Sequence, residues 1–509
     1  MTAPPHRHQA SYWLTRFVLL RLLGAVYAVA FLVAINQLLP LVGSHGLLPV
    51  GLFLDRVHQA LGSRFAAFVR LPSLFWLDHS DATLLAGAWI GFVLSGVVAA
   101  GFANAPMLTL LWGLYMSIVH VGQDWYGYGW ESQLLETGFL AIFLCPLLDP
   151  RPFPHREPPR VVIWLFVWLI FRIMLGAGLI KLRGDAGWRD LSILSYFFET
   201  QPLPNPLSRW FHFLPRHLLQ AGVLWNHLAE LGAPLLLLYP HRRVRMAGGV
   251  IIVLFQLTII LGGNLSFLNW LTIVPALACF DDLAWKHALP ATLARRAEAA
   301  ADRVLPSRPQ QVTAWAVAGL IALLSIQPTL NLLSAGQIMN TSYDPLELVN
   351  TYGAFGSVGQ HRYNVVFEGT EAADQQAQHA VWREYLYRGL PTDVKRRPPQ
   401  VAPYQLRLDW QMWFAAMGSA QEYPWTLHLV WKLLHNDPDT LSLFGANPFP
   451  DRPPRYVRAV LYEYKFAVPG NPDGAWWTRN QLGLWLPPLS VDDAGLTAFL
   501  QQAGWLPPP

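Results

Sequence analysis

Residues 161–190 read VVIWLFVWLIFRIMLGAGLIKLRGDAGWRD. Up to Leu182 this run carries only two charges, Arg172 and Lys181. A helix of roughly 20 apolar residues crosses the hydrocarbon core of a bilayer. Gly176 and Gly178 lie where a neighbouring segment can approach closely, and beyond Gly184 the chain turns polar. This stretch predicts a transmembrane helix whose end carries a charged, aromatic loop.

Working outward, apolar segments of this kind recur near 17–39, 83–102, 105–121, 134–148, 161–182, 218–239, 246–262, 267–280 and 312–333, about nine spans in all. Those at 105–121, 134–148 and 267–280 are short or interrupted. Residues 47–76 are amphipathic, and residues 191–217 mix aromatics with Pro202, Pro204, Pro206 and Pro215. Both read as interfacial or re-entrant segments. From about 334 no segment is apolar enough to span, and Pro, Trp and Tyr become dense. Residues 363–367, 404–410 and 456–466 have strand-like composition, whereas 425–434 have helical spacing. The expected fold is a polytopic α-helical membrane bundle (1–333) followed by a smaller extracytoplasmic α+β domain (334–509).

Composition agrees. Of 509 residues, 53% are hydrophobic and only 13% charged, about half the charged share of a soluble protein. The net charge of +4 comes from scattered cations, so no nucleic-acid partner is expected and membrane lipids are. Cys145 and Cys279, both in apolar runs, cannot build a disulfide framework or a thiolate metal site, and read as buried thiols. The first apolar run is too long for a cleavable signal peptide and reads as an anchor. If the N-terminus, with Arg7 and Arg16, is cytoplasmic, the basic connections around Arg151, Arg156 and Arg160, around Arg242, Arg243 and Arg245, and from Lys286 to Arg308 all fall inside. Residues 183–217 and everything after 334 then fall outside.

Ionisable groups in a membrane cost a few kcal/mol and need a partner or a purpose. One cluster is Asp124, Glu131 and Glu136, set among Trp125, Tyr126, Tyr128 and Trp130. His120, four residues before Asp124, is placed to pair with it. The cluster reads either as a carboxylate-lined pocket or as an interfacial aromatic belt with a helix-capping acid. A second cluster holds Lys181, Arg183, Asp185, Trp188 and Arg189. Lys181 either snorkels or pairs with Asp185, or, facing inward and desolvated, offers a neutral amine as base. His227 and Glu230 share a helix face and read as a hydrogen-bonded pair. Two ligands on one helix are weak support for a metal, and no metal site is expected. Nucleophile-elbow, Walker and dinucleotide motifs do not occur, which removes support from hydrolase and nucleotide chemistry. Asn264, Tyr352 and Trp410 complete the candidate functional residues.

Residues 12–16 (YWLTR), 46–49 (GLLP), 130–146, 171–190, 263–270 (GNLSFLNW), 350–356 (NTYGAFG) and 407–414 (RLDWQMWF) together resemble the lipase maturation factor family, along nearly the whole chain. In animal members the resemblance implies a membrane protein of the endoplasmic reticulum. Its lumenal C-terminal region helps dimeric lipases reach their active assembly. Here the ending GWLPPP is not a retention signal and cysteine is scarce, so the expectation is a bacterial inner-membrane folding factor, chaperone-like, without cofactor, acting on secreted clients such as lipases. A shorter likeness competes. The Lys181, Asp185, Trp188 spacing resembles the membrane region of vitamin K-dependent γ-glutamyl carboxylases and related horizontally transferred transmembrane proteins. That likeness implies an enzyme with Lys181 as base toward a lipid-soluble quinol or acyl substrate, with Asp124, Glu131 and Glu136 lining its pocket. A transporter is disfavoured by the large polar domain and the absence of a two-half repeat.

Overall fold

The computed structural model describes residues 11–375 and 380–507, so Arg7 lies outside the described residues. Among these, five helical stretches are long and apolar enough to cross a membrane. They are α1 (Trp13–Val42), α2 (Asp81–Ala100), α5 (Arg160–Gly184), α8 (Arg242–Gly262) and Arg308–Leu333, the last containing α10 (Arg308–Leu324). The remaining apolar segments form shorter helices. These are α3 (Ala105–Val121), α4 (Gly129–Ile142), α7 (Arg216–His227) and α9 (Leu268–Ala276). From α7 the chain continues through a π-helical turn at Leu228–Gly232 into Ala233–Leu237. Residues 191–217, read as interfacial, hold short helices, among them α6 (Ser208–His212).

The bundle has two distinct ends. At one, the Trp13 and Leu14 amides donate to Asp282 at 3.0 and 2.8 Å, and Thr15 donates to the Phe280 carbonyl at 2.6 Å. Arg245 donates to the Tyr12 hydroxyl there, and Arg16 to the Arg156 carbonyl. At the other, the orphan carbonyls that end α8 are capped by the preceding loop. Gln201 and Ser208 donate to Gly262 at 2.9 and 2.8 Å, and Asn205 donates to Leu261 at 3.0 Å. Thus α8 runs from the first end to the second, and α9 returns the chain to Phe280.

Beyond Leu333 a connector leads to a sheet of β1 (Arg362–Thr370), β2 (Arg383–Glu384), β3 (Tyr456–Phe466) and β4 (Trp477–Leu489), all antiparallel, in the order β2-β1-β3-β4. Alternation sorts its side chains. Val365, Phe367, Val457 and Ala459 face a core that continues without a break into the bundle, while Val366, Val460, Tyr464, Phe466 and Trp477 form a separate cluster behind. Residues 363–367 and 456–466 are strands and 425–434 a helix, in line with the sequence pattern. Residues 404–410 are not a strand. From Arg407 they open α11 (Arg407–Ala415), in which Leu408, Met412 and Ala415 are buried at helical spacing.

The two parts are keyed together by side chains from both. Asn264, between α8 and α9, donates to the Pro204 and Pro399 carbonyls and accepts from the Val401 and Ala402 amides at 2.8 and 2.9 Å. Arg362, at the start of β1, donates to the Glu199, Gln201 and Pro202 carbonyls at 3.0, 2.5 and 2.9 Å.

Candidate functional site

Glu136 is fully buried on α4, and Arg172 reaches it from α5 to form an ion pair. The connector completes the coordination. Tyr352 Oη donates to Glu136 Oε2 at 2.7 Å, the Asn350 amide donates to the same oxygen at 3.1 Å, and Arg172 donates to the Asn350 carbonyl at 2.7 Å. Residues 352–356 lie directly on α5, and a Cβ at Gly176 or Gly184 would collide with the carbonyls of Tyr352 and Gly356. Glycine is required here to let two backbones touch.

Glu131, on the same helix α4, is also buried and takes its cation from the C-terminal part. Arg407 pairs with it at 3.0 Å, donates to the Trp125 carbonyl at 2.5 Å and lies 3.3 Å above the Tyr126 ring. Tyr115 and Trp130 also donate to this carboxylate. Gln37 of α1 accepts from the Arg407 amide at 2.9 Å and donates to the Gln405 carbonyl at 2.6 Å. The other residues of α11 are equally committed. Asp409 accepts from the Gly389 and Leu390 amides at 2.6 and 2.8 Å, and its burial pushes the carboxyl up to about 6. Trp410 packs edge-on against Trp130, with ring centroids 4.9 Å apart.

Lys181 is buried at the end of α5. Its ammonium donates to Glu230 at 2.6 Å and to Asn226 at 2.9 Å, and stands 4.8 Å from the Trp188 ring. Asn226 and Glu230 reach it from α7 and the π-helical turn, whose wider spacing carries Glu230 toward the lysine. A mostly apolar cavity of about 170 Å³ adjoins Lys181 and Trp188, with Phe197, Phe211, Trp225 and Phe255 among its walls. Glu131, Glu136 and Asp124 do not line it.

Several expected pairings are replaced. Lys181 pairs with Glu230 and not with Asp185, whose carboxylate accepts from the Gly187 and Val358 amides. His227 meets the Trp188 carbonyl at 2.9 Å, leaving Glu230 to the lysine. His120 meets the Pro72 carbonyl at 2.6 Å, and Asp124 does not pair with it, its carbonyl accepting from Gln411. Arg183 donates to Gln337 and the Leu332 carbonyl, and Arg189 to the Leu182 carbonyl. The chain thus forms three separate polar networks, at Glu136, Glu131 and Lys181. Sequence reasoning missed Asn226, Asn350 and Arg407 as members. The available signal was charge balance, since each buried acid on α4 demands a cation from elsewhere.

Comparison with known proteins adds an independent line. The model described as lipase maturation factor transmembrane domain matches residues 14–287, and that described as lipase maturation factor C-terminal domain matches residues 348–487. The chain is 45% identical to lipase maturation factor 1 of Homo sapiens over 531 aligned residues, covering 100% of this chain and 93% of the relative. It is also 45% identical to lipase maturation factor 1 of Bos taurus, covering 99% and 93%. Identity to lipase maturation factor 2 of Homo sapiens is 31%, covering 96% and 85%. No solved structure matches the chain significantly.

Two outcomes test the networks. Arg172→Met leaves the Glu136 carboxylate buried and unpaired, an expected loss of roughly 3–5 kcal/mol, and adding Glu136→Gln should restore part of it. Thermal unfolding in detergent would measure both, and equal midpoints for the single and double variants would show that the pair is not what holds this joint. Glu347, on the connector, is pushed up to about 7 from 4.5 by burial, with the charges of Asp344 and Glu131 adding to it. A raised carboxyl in the folded protein favours folding at low pH, and that contribution fades as pH climbs from about 4.5 through about 7. Glu347→Gln should therefore flatten the fall in stability over that window, by on the order of 2 kcal/mol at its upper end.

Proposed function

The chain belongs to the lipase maturation factor family, and on that premise we propose that it is a membrane-bound factor assisting the folding or assembly of a secreted lipase. The observation that carries this reading is full-length similarity to proteins named for that role. The structure supports binding over catalysis. Glu131, Glu136 and Lys181 each meet an opposite charge and further hydrogen bonds, which favours a structural role for them. In this reading the membrane part takes no cofactor, and the quinol-dependent alternative is not favoured.

The bundle crosses the membrane about nine times, with the shorter helices held inside the longer ones. Support comes from the contacts at its two ends, which fit α9 and the α7 segment returning the chain between α5, α8 and α10. Cations gather at the end holding Arg16, Arg156 and Arg245, which supports an N-terminus in the cytoplasm and a sheet on the opposite side. The parity is the same for five crossings. The animal relatives lend the bacterial inner membrane no support, and the compartment here is simply an integral membrane.

The client surface in this proposal lies in residues 334–509. β4 is the longer of the two edge strands of this sheet, 13 residues long, and exposes Leu482 and Leu484. Such an edge can add a strand from a partially folded partner. The test is coexpression with a secreted lipase, scoring active lipase against matched levels of the factor. Leu482→Lys with Leu484→Lys should lower the yield several-fold. Lys181→Met with Glu230→Met, which removes both charges of the buried pair, should leave it within about twofold. The reverse pattern would make the membrane part an enzyme.

A further inference from the structure

Arg209 lies on α6, one residue after Ser208 caps the end of α8 at Gly262. That contact sets its depth at the terminus of a membrane-crossing helix, where phospholipid headgroups begin. The same segment exposes Leu207, Trp210 and Phe213, at 41%, 53% and 39%. Apolar and aromatic side chains at this level are what a bilayer interface accommodates.

Arg209 itself is 93% buried by its neighbours, at 7% exposure, and its Nε has no hydrogen-bond partner. Its guanidinium stacks 3.7 Å from the Trp476 ring centroid and donates once to the Ala475 carbonyl at 3.2 Å. Arg397, exposed on the loop after β2, brings a second guanidinium within 5.5 Å of the same ring. The charge acting on Arg209 is this like charge, which opposes its own. Neither arginine has a carboxylate partner among the ion pairs of the described residues. Three other buried cations meet acids, Arg172 at Glu136, Arg407 at Glu131 and Lys181 at Glu230, and buried Arg362 spends its guanidinium on three carbonyls. Here two cations converge on one indole with their counter-charge missing.

We propose that Arg209, Arg397 and Trp476 form a site for the phosphate of an anionic phospholipid, with the acyl chains lying along Leu207, Trp210 and Phe213. Guanidinium forks match phosphate oxygens, and the indole fixes the Arg209 plane so that little freedom is lost on binding. The chemistry alone would also accept a soluble phosphate ester, but the depth and the adjoining apolar side chains favour a lipid. This site is independent of the client surface, so it stands or falls separately from the proposed function.

The test uses the purified full-length protein in neutral detergent, titrated with short-chain phosphatidylglycerol and, in parallel, phosphatidylcholine, with bound lipid counted by native mass spectrometry. The intact protein should prefer phosphatidylglycerol. Arg397→Gln, on an exposed loop where folding is not at risk, should weaken that binding roughly fivefold, and adding Arg209→Gln should weaken it further. A large excess of glycerol phosphate should leave the lipid bound. Unchanged binding in Arg397→Gln overturns the proposal. Displacement by glycerol phosphate overturns it in favour of a soluble ligand. Unchanged lipid binding with lost binding of a polyglutamate peptide overturns it in favour of an acidic protein segment.

Discussion

Two buried carboxylates on one helix set the terms for the rest of this structure. A buried, unpaired carboxylate costs several kcal/mol or more, so Glu131 and Glu136 must each be matched by a cation and by enough donors to satisfy both oxygens. Arg172 can come from the bundle itself, but it leaves Glu136 Oε2 to Asn350 and Tyr352. Glu131 finds no cation in the bundle and takes Arg407. In both networks the C-terminal chain supplies what the membrane part lacks. The sheet is therefore not an appended module, and its core runs on into the helices.

How much of this was legible in the sequence follows from which signals are local. Apolar length marks a helix without reference to anything distant, so α1, α2, α5 and α8 stand out of the chain directly. Strand-like composition did the same for β1 and β3. Residues 404–410 misled because Tyr404, Leu406, Leu408 and Trp410 alternate with polar residues, although Leu408, Met412 and Ala415 carry the helical spacing that prevails. The charged residues within and beside the spans were also evident, and their rarity made them stand out. Their partners were not, because a partner is fixed by helix order in space. His120 and Asp124 have the right spacing on paper, but the helix ends at Val121 and a separate turn carries Asp124 away. Asp185 was the nearest acid to Lys181 in sequence, and Glu230 became its partner through the packing of the π-helical turn against α5.

Small residues decide where the connector can lie. With Gly176 and Gly184 the backbone of residues 352–356 rests on α5 itself, and Trp188 closes the contact by donating to the Phe355 carbonyl at 2.9 Å. Gly176 and Gly184, near the end of α5, are thus a bed for the connector, whereas Gly178 faces Leu231 and Glu230. The cavity beside Lys181 is walled by the same loop that caps α8, so the lipid-facing side chains of that loop and the buried lysine belong to one piece of architecture.

The Arg407 contact also dictates an order of events during synthesis. Trp125, whose carbonyl Arg407 grips, precedes it by 282 residues. At about 5–20 residues per second, the translating ribosome needs on the order of tens of seconds to bridge that interval. Throughout it the helix carrying Glu131 must wait at the membrane with its acid uncompensated, neutralised by a proton or left near the water at the bundle's end. A protein whose relatives are named for maturing others thus has a buried contact that its own nascent chain closes only late in synthesis.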